Sequence, residues 1–112
     1  MKLSFNLSAA DLNTIIFALG ILPELELEDT PEKADINQLC CVSAVHKITS
    51  GNTKLTANEF RVISGAIQAL YLIIHGELEV EPKTKAECSR YVFDVNRLMP
   101  MFDFDFDESS EE

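Results

Sequence analysis

Four amphipathic segments joined by short connections predict a mainly helical fold, an antiparallel four-helix bundle. An internal repeat supports this fold, because residues 7–12 read Leu-Ser-Ala-Ala-Asp-Leu and residues 55–60 read Leu-Thr-Ala-Asn-Glu-Phe. The length of 112 residues suits one domain with one hydrophobic core. We therefore expect a single helical domain over residues 1–102, with pseudo-repeats at about 7–50 and 55–99, and an acidic tail at 103–112.

Helices one and two form the first pseudo-repeat. Helix one is predicted over residues 8–19, with Gly20 as a suitable stop. Helix two is predicted to begin at Thr30, with Pro31 in its first turn, and to end at about residue 50, before Gly51. Apolar residues at helical spacing form the inward stripes of these helices: Leu12, Ile15, Ile16 and Leu19 in helix one, and Ala34, Cys41, Ala44, Val45 and Ile48 in helix two.

Helices three and four form the second pseudo-repeat. Helix three is predicted over residues 57–75, capped by Thr56 and ended by Gly76. Helix four is predicted over residues 84–99 and is closed by Pro100. Their inward stripes are Phe60, Ile63, Ala66, Ile67, Leu70, Ile73 and Ile74 in helix three, and Cys88, Tyr91, Val92, Val95 and Met99 in helix four.

An acidic arm, in which Glu alternates with an apolar residue, connects the two helices of each pseudo-repeat. The arms read Glu-Leu-Glu-Leu-Glu at 24–28 and Glu-Leu-Glu-Val-Glu at 77–81. In an up-down-up-down bundle both arms lie at one end, so we predict that they pair as a short β-ribbon with the glutamates on one face. The candidate partner-binding acids of the arms are Glu24, Glu26, Glu28, Glu77, Glu79 and Glu81.

The two ends of the chain alternate in the same way. Residues 3–7 alternate apolar with polar side chains, and residues 102–107 alternate Phe with Asp. We expect these segments to pair as a second short ribbon, with a mobile acidic-aromatic tail as the alternative. The tail adds Asp103, Asp105 and Asp107 to the candidate partner-binding acids.

The charge balance restricts the classes of partner. The chain has 19 Asp and Glu against 9 Lys and Arg, a formal net charge of −10. Direct binding of nucleic acid or of an anionic membrane needs a basic face, so we expect neither. The sequence shows no secretory signal pattern, and its longest nearly uncharged apolar stretch, 62–74, is too short to span a bilayer. Three cysteines, Cys40, Cys41 and Cys88, favour reduced thiols in the cytoplasm.

Motifs for catalysis or metal binding do not stand out in the sequence. The cysteines and the two histidines lack the spacings of a zinc site, and no P-loop, Gly-rich fingerprint or G-x-S-x-G element occurs. We therefore expect no enzyme activity, no cofactor and no metal site. The arm glutamates could together hold a divalent ion, which makes a metal-dependent hydrolase the third-ranked hypothesis.

A protein partner is the remaining class of ligand. We predict a small acidic binding protein, similar in action to inhibitors, immunity proteins or antitoxins, that docks a basic protein and covers or imitates its nucleic-acid site. Apolar residues off the core stripes could anchor the contact: Phe17, Leu72, Phe93 and Phe104. The alternative is a structural or scaffold protein that forms homo-oligomers through the off-core residues, with the acid serving solubility.

The first fifth of the chain resembles the beginning of other short proteins. Residues 7–13, 18–20 and Pro23 resemble the opening of short phage and prophage proteins of unknown role. Those residues have low specificity, so the resemblance does not assign the chain to a family. It suggests a phage or bacterial origin and implies no activity.

Overall fold

Helices dominate the computed structural model, which describes residues 7–25, 27–52 and 54–110, with 102–110 described by backbone alone. The mainly helical prediction is confirmed. The elements in chain order are α1 (Ala9–Ile21), a 3₁₀ turn (Leu22–Leu25), α2 (Pro31–Thr49), α3 (Ala57–Ile74), α4 (Pro82–Ser89) and α5 (Val92–Ser110). None of the described helices is both long and apolar enough to cross a membrane.

The first three helices begin where the capping residues predict. Ser8, Thr30 and Thr56 are the N-caps of α1, α2 and α3, and each side chain accepts a hydrogen bond from a backbone N–H in the first turn. Gly51 and Gly76 follow α2 and α3 with φ angles of 82° and 78°, a conformation that other residues rarely adopt. Local sequence signals therefore set these boundaries.

The prediction of one continuous fourth helix that ends before Pro100 is wrong. The helix is divided into α4 and α5, because the N–H groups of Arg90 and Tyr91 bond to the carbonyls of Glu87 and Cys88, three residues back, which interrupts the α-helical ladder. At its other end, α5 continues through Pro100 to Ser110. The region 102–107, predicted as a strand, is thus helical. A helix satisfies its backbone hydrogen bonds internally, whereas a strand needs a partner. The expected partner is the segment 3–7, of which all residues except Leu7 lie outside the described residues.

The β-ribbon predicted for the two arms is also wrong, since residues 7–25, 27–52 and 54–110 contain no strand. In the first arm, Pro23 has no N–H to give to a ladder, and residues 22–25 form the 3₁₀ turn. In the second arm, the N–H groups of Glu77 and Leu78 both bond to the carbonyl of Leu72, at 2.8 and 3.1 Å, and close the end of α3. Helix termination therefore uses the donors that a ribbon would need.

Among the described residues, the hydrophobic core is organised around α3, which contacts each of the other four helices. All residues of its predicted inward stripe are buried except Ile74, which is half-buried. Leu98 of α5 is buried as well, although it was not predicted in a stripe, and Ala34 of α2 is exposed although it was. Buried apolar side chains from other elements complete the core: Ile15, Ala18, Leu19, Leu22, Cys41, Ala44, Ile48, Leu55, Cys88 and Val95.

Two buried carboxylates occupy equivalent positions at the starts of α1 and α3. Asp11 and Ser8 form a capping box, with the Ser8 N–H donating to Asp11 Oδ2 at 2.9 Å. Glu59 and Thr56 form the second box, with the Thr56 N–H donating to Glu59 Oε1 at 2.8 Å. Both boxes confirm the capping pattern of the sequence. Each acid also binds a cation that the sequence pattern does not indicate.

Glu59 is held by α2. Its Oε1 accepts from Lys47 Nζ at 2.7 Å, and its Oε2 accepts from the Ser43 hydroxyl. Burial by itself would raise the pKa of Glu59, but the hydrogen bonds from Lys47, Ser43 and Thr56 lower it from 4.5 to about 2. The charged carboxylate thus joins α2 to the beginning of α3.

Asp11 is held by α5. Arg97 Nη2 donates to Asp11 Oδ1 and, at 2.8 Å, to Asp94 Oδ1, and Asp94 Oδ2 lies 3.1 Å from the Thr14 hydroxyl. The hydrogen bond from Arg97 lowers the pKa of Asp11 despite its burial. The same bond raises the pKa of Arg97. This network joins α1 to α5.

Candidate functional site: the groove between the acidic arms

The two acidic arms meet although they do not form a ribbon. They line a groove of about 300 Å³ between the end of α1 and the start of α4. Its lining combines apolar side chains with carboxylates: Ile21, Leu25, Leu27, Leu78 and Val80 among the former, and Glu24, Glu79 and Glu81 among the latter, with Thr84 at one side. We call this the arm groove. The structure therefore brings the two Glu-rich segments together, as the sequence predicts, by a different backbone geometry.

Backbone turns position both sides of the arm groove. The 3₁₀ turn that follows α1 buries Leu22 and leaves Glu24 exposed, because successive side chains of a tight turn point in different directions. On the other side, Gly76 reverses the chain after α3, and Pro82 begins α4 immediately after Glu81. Both arms are thus short segments held between helix ends.

The carboxylates of the arm groove face solvent. Glu24, Glu79 and Glu81 are exposed, and no ion pair found among the described residues includes them. Lys83 and Lys85 of α4 lie outside the groove lining. The groove therefore combines an apolar lining with acidic side chains that remain open to a ligand. Such an arrangement suits a ligand with an apolar part and positive charge.

The other predicted acids are not in the arm groove. Glu28 and Glu77 are exposed outside it, and Glu28 lines a different groove beside α2. Glu26 lies outside the described residues, and the side chains of Asp103, Asp105 and Asp107 are likewise not described. Three of the nine predicted acids therefore share this site.

The predicted apolar anchors occupy separate places. Phe17 is half-buried and stacks on Tyr91, with ring centroids 4.4 Å apart, so it packs within the fold. Leu72 is 39% exposed and Phe93 is 86% exposed. The side chain of Phe104 lies outside the described part. Phe93 is thus the anchor candidate that is most open to a partner.

The outer face of α2 is a surface that the sequence reasoning missed. It exposes Ile36, Leu39 and Val42, and two grooves flank the helix. The larger, of about 410 Å³, is lined by α2, α3 and the first arm. Apolar residues at positions 36, 39 and 42 were the available signal, because their spacing of three places them on one side of a helix.

Groups with the potential for nucleophilic or metal chemistry are distributed through the fold. Cys41 and Cys88 are buried, as predicted for core thiols, and Cys40 is half-buried. Burial raises the pKa of Cys41 to about 11 and also raises that of Cys88, so both thiols are protonated at neutral pH and weakly nucleophilic. Among the described residues, no group of three or more His, Cys, Asp and Glu side chains could hold a metal ion.

Comparisons with known proteins add no relative. A scan against protein-family models, a search of curated proteins and a search of solved structures each found no match to the chain.

Proposed function

We propose that the protein is a small acidic binding module that captures a basic protein partner through the arm groove. The observation that supports this proposal is the combination of exposed carboxylates, without ion pairs among the described residues, and an apolar lining in one groove. The net charge of −10 would speed the encounter with a cationic surface over a long range. An apolar side chain of the partner, seated between the arms, would provide the short-range contact.

The class of action that fits this site is inhibition by occlusion. A partner that binds phosphate through a basic surface presents the charge that the arms complement. Covering that surface would prevent nucleic acid from reaching it, as an immunity protein, an antitoxin or an inhibitor does. In this proposal the protein has no catalytic role and needs no cofactor. We place it in the cytoplasm, a location that the free cysteines favour.

The test is a titration with a synthetic amphipathic peptide of Lys and Leu, followed by fluorescence at low and at moderate salt. We expect saturable binding that weakens with salt and falls by at least about tenfold in the variant Glu24→Gln/Glu79→Gln/Glu81→Gln. The matched control is Asp29→Asn/Asp35→Asn/Glu87→Gln, which removes the same charge from exposed sites outside the arm groove. An equal loss of peptide affinity in the two variants would show that the effect comes from net charge alone, and it would contradict a specific site.

The same comparison extends to natural partners. Capture from the native host with the wild type and both triple variants should retrieve a basic protein that only the arm-groove variant loses. Retention of that protein by the arm-groove variant would exclude the arms as its docking site.

A second candidate function is that of a structural protein that self-associates through off-core residues. The observation that favours it is Phe93, whose large apolar side chain is 86% exposed on α5. Light scattering of the wild type and of Phe93→Ser separates the two proposals. If the wild type is an oligomer and Phe93→Ser dissociates it, the structural role is supported. If the wild type and Phe93→Ser have the same molar mass, Phe93 is excluded as the contact.

We also propose that the fold arose by duplication of a helix–arm–helix unit, arranged as a four-helix bundle. The two capping boxes support it, because Asp11 and Glu59 occupy the same position in each copy and both bind a cation from another helix. Ser8 and Thr56 also occupy the same position in each copy, as the N-caps of α1 and α3. Independent expression of residues 1–52 and 53–112, followed by mixing, tests whether each half retains helical structure.

A further inference from the structure

The outer face of α2 carries an apolar stripe that no other element covers in the described structure. Ile36, Leu39 and Val42 are 59%, 69% and 61% exposed. They are three of the six large apolar side chains that are exposed among the described residues, and all three lie on one helix. Such a concentration differs from the scattered exposed apolar residues of an ordinary surface and indicates a contact with another molecule.

The stripe lies between two hollows. Ile36 lines the groove of about 410 Å³ toward α3, and Val42 lines a groove of about 310 Å³ toward the end of α1. A helix laid along α2 could therefore contact the stripe at its centre and extend neighbouring side chains into both hollows. This shape suits helix-on-helix packing.

The residues of this face are arranged symmetrically about Leu39. Ile36 and Val42 lie three residues before and after it, and Glu32 and His46 lie seven residues before and after it. When two copies of one helix cross antiparallel at a two-fold axis, positions equally far from the crossing point face each other. Leu39 then faces Leu39 of the second copy, Ile36 faces Val42 of that copy, and Glu32 faces its His46.

The charges of α2 agree with the antiparallel arrangement. Acids occupy only the N-terminal side of the helix and its approach, at Glu28, Asp29, Glu32 and Asp35, whereas residues 40–50 contain no acid and include His46 and Lys47. An antiparallel pair places the acids of one copy opposite the acid-free half of the other. A parallel pair would bring the acids together, at a cost in free energy.

We infer that α2 is the contact helix of a homodimer, in which two copies of the chain pair antiparallel about a two-fold axis at Leu39. The self-complementary pattern favours a second copy over an unrelated helix, because an isologous contact requires it and a contact with a different protein does not. The interface of one 19-residue helix per chain belongs to the small class, so the dimer is a weak one that forms at high protein concentration.

Salt has a defined effect on this dimer. Two bodies that each carry a net charge of −10 repel each other at long range, while the apolar contact at α2 is insensitive to screening. Moderate salt should therefore strengthen the dimer. Binding of a cationic partner in the arm groove should weaken under the same change, so the two surfaces are distinguishable by the sign of their salt dependence.

The first test is sedimentation equilibrium of the full chain at moderate salt. We expect a monomer–dimer equilibrium whose dissociation constant rises by at least about tenfold in Leu39→Glu, since a charge would be buried at the two-fold axis. The matched control is Leu72→Glu, which makes the same change at another exposed leucine, on α3. The proposal would be overturned if the wild type stays monomeric. It would also be overturned if Leu72→Glu dissociates the dimer and Leu39→Glu does not.

A second test addresses the antiparallel register. His46→Glu places two like charges opposite each other twice in the dimer and should weaken it, and Glu32→Lys added to His46→Glu should restore it. Neither side chain is buried, so folding is not at risk. Failure of the double variant to restore the dimer would refute the register. The arm-groove double variant Glu79→Gln/Glu81→Gln should leave dimerisation intact, because neither residue lines the hollows beside α2. This inference and the proposed function therefore fail separately.

Discussion

The carboxylates at the starts of α1 and α3 contrast with those of the arms. Asp11 and Glu59 are buried, accept hydrogen bonds from their own helix N-terminus and bind Arg97 or Lys47 of another helix. Glu24, Glu79 and Glu81 are exposed, and none of them has an ion pair among the described residues. The net charge of the chain therefore consists of two populations with different physical roles.

The difference shows why a count of acids is a weak guide to function. A buried carboxylate with good partners contributes to the free energy of unfolding and is withdrawn from any ligand. An exposed one contributes little to stability and stays available for binding. Stability and binding measurements on the two groups should therefore give opposite rankings.

Removal of Glu59 should have the largest effect. Glu59→Ala should lower the free energy of unfolding by about 3 kcal/mol, because it leaves the partly buried Lys47 without its partner and opens the second capping box. Urea denaturation followed by circular dichroism measures it. Glu79→Ala is the control, and a comparable loss in that variant would remove the distinction between the two groups.

Acidification should reproduce much of that effect. The pKa of Glu59 is about 2 in the folded chain against an ordinary value of 4.5, so its stabilisation is complete above pH 4.5 and is lost as the pH falls toward 2. A shift of this size corresponds to roughly 3 kcal/mol. The pKa of Asp11 is lowered too, which adds in the same direction. The urea midpoint should fall as the pH falls across this range, and the fall should be smaller in Glu59→Gln. An equally steep fall in that variant would contradict the assignment of the pH dependence to Glu59.

Substitution of Asp11 should cost less than that of Glu59. Asp11→Asn removes a charged partner of Arg97, but Arg97 is half-exposed and keeps its contact with Asp94 at 2.8 Å. The expected loss is about 1–2 kcal/mol, the usual range for a capping acid with additional partners. Thermal unfolding of Asp11→Asn, compared with that of Asp94→Asn, measures this loss. A loss above that of Glu59→Ala would reverse the proposed order.

Neutralisation of the arms should have the smallest effect on stability. Glu24→Gln/Glu79→Gln/Glu81→Gln should change the free energy of unfolding by less than about 0.5 kcal/mol, with a slight gain from reduced repulsion. The same urea experiment measures it. A clear destabilisation would indicate that these carboxylates have a structural role, which would weaken their assignment to a partner.

Local signals in the sequence were sufficient for most helix boundaries. Thr30–Pro31, Thr56 and Gly76 act through backbone chemistry within a few residues, so α2 and α3 were predicted to within one or two residues. The break after Ser89 and the course of α5 beyond Pro100 were not predicted. These depend on packing and on competition between local hydrogen-bond patterns, which a single-residue rule does not resolve.

Long-range pairings were beyond what the sequence pattern indicates. Asp11 is 86 positions from Arg97, and only the packing of α1 against α5 brings them together. The outward stripe of α2 was missed for a related reason. Helix α2 has two apolar stripes, and the side that faces the core is decided by the neighbouring helices, which bury Cys41, Ala44 and Ile48 and leave Leu39 outside.

The position of α3 in the middle of the chain has a consequence for the order of folding. Each of the other described helices contacts α3, and those helices precede and follow it along the chain. Each can therefore reach α3 by closing a loop of modest length. We expect residues 57–74 to become helical before the flanking helices settle, so that slow folding would follow from a glycine placed in α3 rather than from one placed in α4.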